Sequence, residues 1–232
     1  MKKLLLGLLV TAVVLFALSS LFYWAMGSGE LWRYQIYQFE KADQAQPPKP
    51  GVIVFAGSSS IRLWHTLAED MQPLDVLNRG FGGSQIAQVN RFADRIILPY
   101  RPRAVVLYAG DNDLTWSKKS PEAVLEDFKR FVAIVHSRLP ETWIYYISMK
   151  PAPVGDWELF SKTNGMIEAY LRTQERAQFI DVSSAMLDAQ GKLRPELYGD
   201  DPEHMNPAGY VLWTSIIKPV LLQRFADNED KP

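Results

Sequence analysis

The strongest constraint on the fold is a series of short apolar runs that begins at Gly51 and is interrupted by longer segments of helical pattern. Apolar residues nearly fill several of these runs, which is typical of strands buried on both faces. When helices separate such strands, they indicate a parallel sheet, because parallel strands need crossover connections. The runs are GVIVFAG (51–57), PLDVLNRG (73–80), RAVVLYAG (103–110), TWIYYISM (142–149) and AQFIDV (177–182).

The segments between the runs predict four helices. They cover 84–98, 121–139, 158–177 and 206–225. Ser120 is placed to cap the second helix, and Pro207 lies in the first turn of the last one. About 175 residues are then available for one core, which is ample for independent folding. The sequence therefore predicts a three-layer α/β domain with a five-stranded parallel sheet.

The N-terminus predicts a transmembrane helix that anchors this domain. Lys2 and Lys3 precede an uncharged apolar run over 4–26. As a helix this run covers about 35 Å, against a hydrocarbon core of about 30 Å. Lysines retained in the cytoplasm place the rest of the chain outside it. The alternative is a cleaved signal peptide, which leaves the domain secreted or periplasmic, although such peptides have a shorter apolar core of about 7–15 residues.

The predicted organisation has four parts. They are an anchor or signal peptide at 1–27, a juxtamembrane segment with a Pro-rich linker at 28–50, the α/β domain at 51–226 and a tail at 227–232.

Composition excludes several classes of function. The 232 residues carry a net charge of −1 and contain no basic run, which argues against nucleic acid as a partner, because phosphate binding needs clustered Lys and Arg. The chain has no cysteine, so disulfides, thiolate nucleophiles and Cys-ligated zinc are excluded.

The ends of the first three predicted strands carry polar and glycine-rich segments. Gly57 is followed by Ser58, Ser59 and Ser60, the second strand ends in NRGFGGS, and the third ends in GDND. Ligands bind outside the carboxyl ends of the strands in open parallel sheets. We therefore expect these segments to meet at one crevice.

A fourth segment adds an acid and a base. Asp201 lies three residues before His204, just ahead of the last predicted helix, so one short turn can present both side chains. Serine hydrolysis needs a hydroxyl, an imidazole and a carboxylate that fixes the imidazole tautomer. It also needs donors for the developing oxyanion, which the glycine-rich loop and Asn112 can supply.

Together the four segments resemble the SGNH/GDSL hydrolase superfamily, which is named for Ser, Gly, Asn and His in four separated blocks. The resemblance covers nearly all of 51–225, and its blocks are GSSS (57–60), NRGFGG (78–83), GDND (110–113) and DPEH (201–204). It implies a flavodoxin-like sandwich and ester-hydrolysing chemistry that needs no metal or other cofactor.

The resemblance also implies a role for each site residue. Ser59 takes the nucleophile position, His204 is the base and Asp201 orients it. The oxyanion donors are the backbone N–H groups of Ser59 and Gly83, with the preceding glycine as an alternative if the loop register shifts, and the side chain of Asn112.

The polar residues next to the site residues are interpreted as structural. Ser58 stands where the family commonly has aspartate, a position that is not the nucleophile. We interpret Ser60 as the cap of the helix that follows. Asp111 and Asp113 are interpreted as turn formers rather than substrate contacts.

The remaining histidines and the aromatic residues near the site are also interpreted from sequence. His65, placed on the first helix, and His136, inside a helical pattern, are taken as structural. Trp64 is taken as a packing residue. Trp116 and Trp157 either shape an aromatic pocket or are packed.

The sequence thus predicts a serine esterase that acts outside the cytoplasmic membrane on a small-molecule ester or an acyl ester of an envelope glycan or lipid. The acyl group, the alcohol and the oligomeric state are left open. The alternative is a catalytically inactive, membrane-anchored module that keeps the same fold and binds a glycan or lipid.

Overall fold

The computed structural model of the protein describes residues 30–225 and, before them, only positions 7, 10, 11, 13–17, 19 and 20. The predicted anchor over 4–26 lies mostly outside these residues, and the predicted tail at 227–232 lies wholly outside them. Among the described residues, no helix is both long and apolar enough to cross a bilayer. The anchor and its alternative, the signal peptide, therefore both stay predictions.

The centre of the molecule is a five-stranded parallel sheet, as predicted. Its strands are β1 (Ile53–Gly57), β2 (Val76–Gly80), β3 (Ala104–Tyr108), β4 (Trp143–Ile147) and β5 (Ala177–Ile180). They pair in the order β2-β1-β3-β4-β5. In this flavodoxin-like order the connections change direction between β1 and β3, and the crevice for ligands lies at the carboxyl ends of those two strands.

The three central strands, β1, β3 and β4, are apolar because they are covered on both faces, whereas the edge strands β2 and β5 include the polar residues Asn78, Arg79 and Gln178. On β1, Val54 and Ala56 belong to one buried cluster, whereas Ile53 and Phe55 belong to the other. Successive side chains of a strand point to opposite faces, so a strand between two layers has no polar face.

Helices form the two outer layers. They are α1 (Glu30–Ala45), α2 (Ser59–Arg62), α3 (Leu67–Asp70), α4 (Ile86–Ile96), α5 (Asp111–Thr115), α6 (Pro121–Arg138), α7 (Trp157–Leu171) and α8 (Pro207–Phe225). Apolar residues of α1, α4, α6 and α7 pack on one face of the sheet, and those of α2, α3 and α8 pack on the other. Ser120 caps α6 through the N–H of Ala123 at 3.2 Å, and Pro207 begins α8, as predicted.

Three of the predicted local features are wrong, and the first two concern the ends of helices. The helix predicted to reach residue 177 ends at Leu171, since Arg176 adopts a left-handed φ of 53° and Ala177 already begins β5. The short α2 ends before His65, which lies in a turn rather than on the helix. The Ile61 carbonyl near the end of α2 accepts from Asn78 Nδ2 at 2.6 Å and from the Trp64 N–H, three residues on, at 3.1 Å.

The start of α2 also differs from the prediction. Ser60 lies inside the helix, and Ser58 occupies the N-cap position, with no hydrogen bond from its side chain to the helix. Ser60 is therefore not the cap.

The segment expected to be a juxtamembrane stretch contains α1, which packs onto the domain. Trp32 and Ile36 are buried in the cluster that α4 also lines. Toward the end of α1, Glu40 pairs with Arg95 at 2.7 Å. The pattern of the segment is amphipathic, and its apolar side meets the sheet layer instead of solvent.

Candidate active site

The candidate nucleophile follows a tight contact between the ends of β1 and β3. Gly57 has a φ of +130°, and a Cβ there would come within 1.9 Å of the Tyr108 carbonyl oxygen. The next residue, Ser58, donates its N–H to that same oxygen at 2.9 Å. The chain therefore needs glycine at position 57 to turn out of the sheet, and Ser59 follows as the first residue of α2.

Ser59, His204 and Asp201 form a continuous hydrogen-bonded chain. Ser59 Oγ lies 2.8 Å from His204 Nε2, although the two residues are 145 positions apart, and His204 Nδ1 lies 2.5 Å from Asp201 Oδ2. With the imidazole protonated at Nδ1, it donates to the carboxylate and accepts the serine proton at Nε2. Hydrogen bonding to His204 also holds the pKa of Asp201 below its ordinary value.

The three predicted oxyanion donors have hydrogens available for a ligand. Among the described residues, the backbone N–H groups of Ser59 and Gly83 have no acceptor. Gly83 adopts a φ of +70°, which suits glycine. One hydrogen of the Asn112 amide is used by the Ser84 carbonyl at 3.0 Å, which leaves the second free.

Hydrogen bonds tie the three strand-end segments to one another. Phe81 N and Ser84 Oγ both donate to the Gly57 carbonyl at 2.9 Å. Asp113 accepts from the first N–H of α4, that of Ile86, at 3.1 Å. The glycine-rich loop is thus fixed to the β1 turn on one side and, through Asn112 and Asp113, to the β3 turn on the other.

The two aspartates that flank Asn112 have protein partners. Asp113 is fully buried and pairs with Lys119 at 2.7 Å, and burial raises its pKa to about 6. Asp111 accepts from the Tyr108 hydroxyl at 3.0 Å and from the Asn112 backbone N–H at 2.9 Å. Asp113 is thus a structural residue, whereas Asp111 forms the turn and also lines the pocket.

The pocket beside Ser59 is small, with a cavity of about 20 Å³. Its polar wall includes Ser59, Asn112, Lys150 and His204, and its apolar wall includes Ala152, Val154, Phe160 and Trp116. Trp116 is 62% exposed at the rim, so it is the aromatic residue available to a ligand. Trp157 instead packs against the buried cluster, and Trp64 is buried, as expected.

Lys150 is a site residue that sequence reasoning missed. It is 3% exposed, and its Nζ donates to the Glu203 carbonyl at 2.7 Å, one residue before His204. Burial lowers its pKa, an effect that nearby carboxylates oppose. Its position just after β4 was the available signal, because strand ends carry the site, but no motif marked it.

Two further polar features are local to the site. Asp201, Glu203 and His204 present ligand atoms within 4.8 Å of one another, a spacing that a metal ion could use. The first and last of these are already joined by their own hydrogen bond, and His204 also contacts Ser59. The hydroxyl of Ser58 is buried and has no hydrogen-bond partner among the described residues.

The site and the fold agree with the sequence comparison. Residues 45–212 match the model of the GDSL-like Lipase/Acylhydrolase family, and the chain belongs to that family. Ester hydrolysis is the activity of the family, and the protein is an SGNH-type carboxylic ester hydrolase. No curated protein matches the chain.

Several solved structures share the fold. A putative platelet activating factor protein from Streptococcus pneumonia superposes with a TM-score of 0.76 at 19% identity, covering 89% of this chain and 98% of its own. A GDSL-like lipase from Bacteroides thetaiotaomicron gives 0.70 at 22% identity, covering 82% and 98%. A carbohydrate esterase family 3 protein from Talaromyces cellulolyticus gives 0.62 at 19% identity, covering 74% and 97%.

Proposed function

We propose that the protein hydrolyses its ester by covalent catalysis with Ser59 as nucleophile, His204 as general base and Asp201 as the acid that orients the imidazole. The observation that carries the proposal is the 2.8 Å approach of Ser59 Oγ to His204 Nε2 at the carboxyl end of the sheet. A serine hydroxyl is a weak nucleophile until a neighbouring base accepts its proton.

In the first half of the reaction, Ser59 Oγ attacks the ester carbonyl carbon while its proton passes to His204 Nε2. The tetrahedral intermediate collapses, the bond to the alcohol breaks, and the alcohol takes the proton from His204. In the second half, water gives a proton to His204 and attacks the acyl-enzyme. The second tetrahedral intermediate then collapses. The bond to Ser59 Oγ breaks, the acid is released, and the proton on His204 returns to Ser59.

The negative charge of both intermediates develops on the former carbonyl oxygen. The N–H groups of Ser59 and Gly83 and the free hydrogen of the Asn112 amide are the donors we assign to it. Donors that are fixed before the reaction stabilise the transition state without the cost of reorganisation. The hydrogen bonds from Phe81, Ser84 and Asn112 hold this loop in place.

The size of the cavity favours a short acyl group. A volume of about 20 Å³ is close to that needed by one water-sized group, so we assign the site to a short acyl group such as acetyl. The alcohol portion would leave past Trp116 at the rim, which suits an envelope glycan or lipid. We expect an acetyl ester to be cleaved faster than its octanoyl and palmitoyl counterparts, and the reverse order would contradict this substrate assignment.

The N-terminal sequence supports an extracytoplasmic location with the apolar run as anchor. Accessibility of the domain to protease added to intact spheroplasts, with the protein retained in the membrane fraction, is the expected result. Release of a shortened soluble protein would favour the signal peptide instead.

The mechanism is tested by Ser59→Ala, with Ser215→Ala on the exposed side of α8 as the matched control. We expect the Ser59 variant to lose at least about 10³-fold in kcat on a short-chain aryl ester, because the nucleophile is removed. The control should keep wild-type activity.

A fluorophosphonate probe gives a second, independent measure. It should modify the wild type at Ser59 and leave Ser59→Ala unlabelled. A wild type that neither hydrolyses esters nor reacts with the probe, yet binds glycan or lipid, would support the inactive binding module.

A further inference from the structure

Trp32 of α1 contacts the glycine-rich loop of the site directly. Its Nε1–H donates to the Gly82 carbonyl at 2.6 Å, across 50 positions of sequence. The indole also lies edge-on to Phe81, with ring centroids 6.3 Å apart, and it is 4% exposed. One side chain of α1 therefore contacts two consecutive residues of the loop.

The hydrogen bond acts on the peptide group that carries a proposed oxyanion donor. The Gly82 carbonyl and the Gly83 N–H belong to the same peptide, and in a planar trans peptide they point in opposite directions. Because Trp32 holds the carbonyl toward α1, the Gly83 N–H points away from α1. Among the described residues that N–H has no acceptor.

The peptide needs such a restraint because glycine lies on both sides of it. Two glycines impose little steric preference, so the Gly82–Gly83 peptide can rotate more freely than one between residues with side chains. The other hydrogen bonds of the loop are made by Phe81 and Ser84 with Gly57, by Ser84 with Asn112, and by the Ser84 N–H with the Phe81 carbonyl at 3.3 Å. They fix the ends of the loop and not this central peptide.

We propose that Trp32 is a positioning residue for catalysis: its indole N–H sets the orientation of the Gly82–Gly83 peptide and so presents the Gly83 N–H to the oxyanion. This inference rests on the proposed covalent mechanism and adds α1 to the parts of the chain that the reaction needs. A role in packing alone would depend on the ring and not on its N–H.

The test is Trp32→Phe in the full chain, which keeps an aromatic ring against Phe81 and removes the donor. We expect kcat on an acetyl ester to fall roughly 10- to 100-fold, less than for deletion of a donor, because the N–H is misaligned and not absent. KM should stay unchanged, since the neutral substrate carbonyl depends less on the hole than the oxyanion does. Glu40→Gln, which alters another contact of α1, is the matched control and should keep wild-type kcat.

Two readouts separate positioning from packing. An aryl trifluoromethyl ketone forms an oxyanion adduct, so its inhibition constant should rise by the same factor by which kcat/KM falls. Hydrogen exchange of the amides at 82–84 should accelerate in Trp32→Phe even without substrate. Should the phenylalanine variant fold poorly, benzothienylalanine placed at position 32 replaces the N–H by sulfur at nearly constant shape.

The outcomes are distinguishable from those that bear on the mechanism itself. A folded variant with wild-type kcat and wild-type ketone inhibition would overturn the role of Trp32 and leave the mechanism intact. A loss of kcat matched by a lower melting temperature, without a change in ketone inhibition, would also overturn it. A wild type that is inert to ester, ketone and fluorophosphonate would overturn the mechanism and this inference together.

Discussion

The two hydrogens of the Asn112 amide have different roles. One is used by the Ser84 carbonyl at 3.0 Å, which fixes the plane of the amide, and the other is the one assigned to the oxyanion in the proposed mechanism. The hydrogen bond to Ser84 therefore also orients the second hydrogen of the amide. An amide suits this position because it donates without adding a charge to the pocket.

This arrangement predicts the effect of Asn112→Ala. We expect kcat to fall by about 10²–10³-fold, as for other deletions of an oxyanion donor, with a much smaller change in KM. Asn112→Asp should be at least as damaging, because a carboxylate accepts and does not donate and its charge repels the oxyanion. Steady-state kinetics on one acetyl ester measures both.

The control for Asn112 is Asn90→Ala, which removes a hydrogen bond from α4 to the Asp127 carbonyl of α6. Its kcat should equal that of the wild type. Equal activity of Asn112→Ala and the wild type would remove Asn112 from the set of donors.

At the scale of secondary-structure elements, the sequence predicted those features that depend on the local pattern of apolar residues. The central strands could be located because burial on both faces leaves them apolar, as in β1, where Ile53 and Val54 face opposite layers. The edge strands β2 and β5 followed from shorter apolar stretches within their runs. The ends of helices were less predictable. The N-terminal half of α2 follows from its serines, but its early end depends on Asn78 of β2, which no local pattern reveals.

The turn after β5 joins two strands through one carboxylate. Asp181 accepts from Ser183 N at 2.9 Å, from Ser183 Oγ at 2.6 Å and from Ser184 N at 3.2 Å. Ser148, just after β4, donates to the same carboxylate at 3.3 Å. Burial alone would raise the pKa of Asp181, but the hydrogen bonds from the serines outweigh it and hold the pKa below the ordinary 3.8.

The lowered pKa predicts how stability depends on pH at this turn. A carboxyl whose pKa is lower in the folded state than in the unfolded state stabilises the fold above pH 3.8, and this stabilisation is lost as the pH falls through the folded pKa. Asp181→Asn should therefore be less stable than the wild type at pH 7, by about 1 kcal/mol because the carboxylate is exposed to solvent. The difference in stability between the two proteins should disappear below pH 3.8.

Urea unfolding of both proteins between pH 7 and pH 3 measures this difference. Ser215→Ala is again a suitable control, since its hydroxyl bonds a helix carbonyl and should give a difference that does not change with pH. A difference in the free energy of unfolding between wild type and Asp181→Asn that increases as the pH falls would contradict the assignment.

At the scale of the whole molecule, the sequence predicted that Ser59 and His204 lie together, but it did not reveal every residue that contacts the segments around them. Ser59 and His204 could be brought together because both lie at the functional edge of a parallel sheet. Trp32 and Lys150 could not be found in that way. Their roles depend on contacts with single backbone carbonyls, those of Gly82 and Glu203, which leave no spacing or composition to recognise.

A mostly buried ion pair also attaches α1 to the domain. Arg79 on β2 pairs with Asp43 on α1, and its side chain is only 6% exposed. Tyr100 joins them, accepting from Arg79 Nε at 2.8 Å and donating to Asp43 Oδ2 at 2.6 Å. Burial, followed by the hydrogen bond to Asp43, raises the pKa of Tyr100 to about 12, so the phenol stays neutral and can donate.

Two acidic residues of α1, Asp43 and Glu40, pair with arginines of the domain. Removing one or the other should lower the free energy of unfolding by different amounts. Asp43→Ala leaves a buried guanidinium without its carboxylate, which we expect to cost about 3–5 kcal/mol in the free energy of unfolding. Glu40→Ala breaks a pair with Arg95 whose side chains are about one third exposed, and it should cost about 1 kcal/mol or less. Urea unfolding compares the two, and equal losses would mean that solvent reaches Arg79 and that α1 is not held as the structure indicates. The larger loss at Asp43 would identify α1 as part of the cooperative unit, and the Trp32 contact would then be supported by a helix that stays in place.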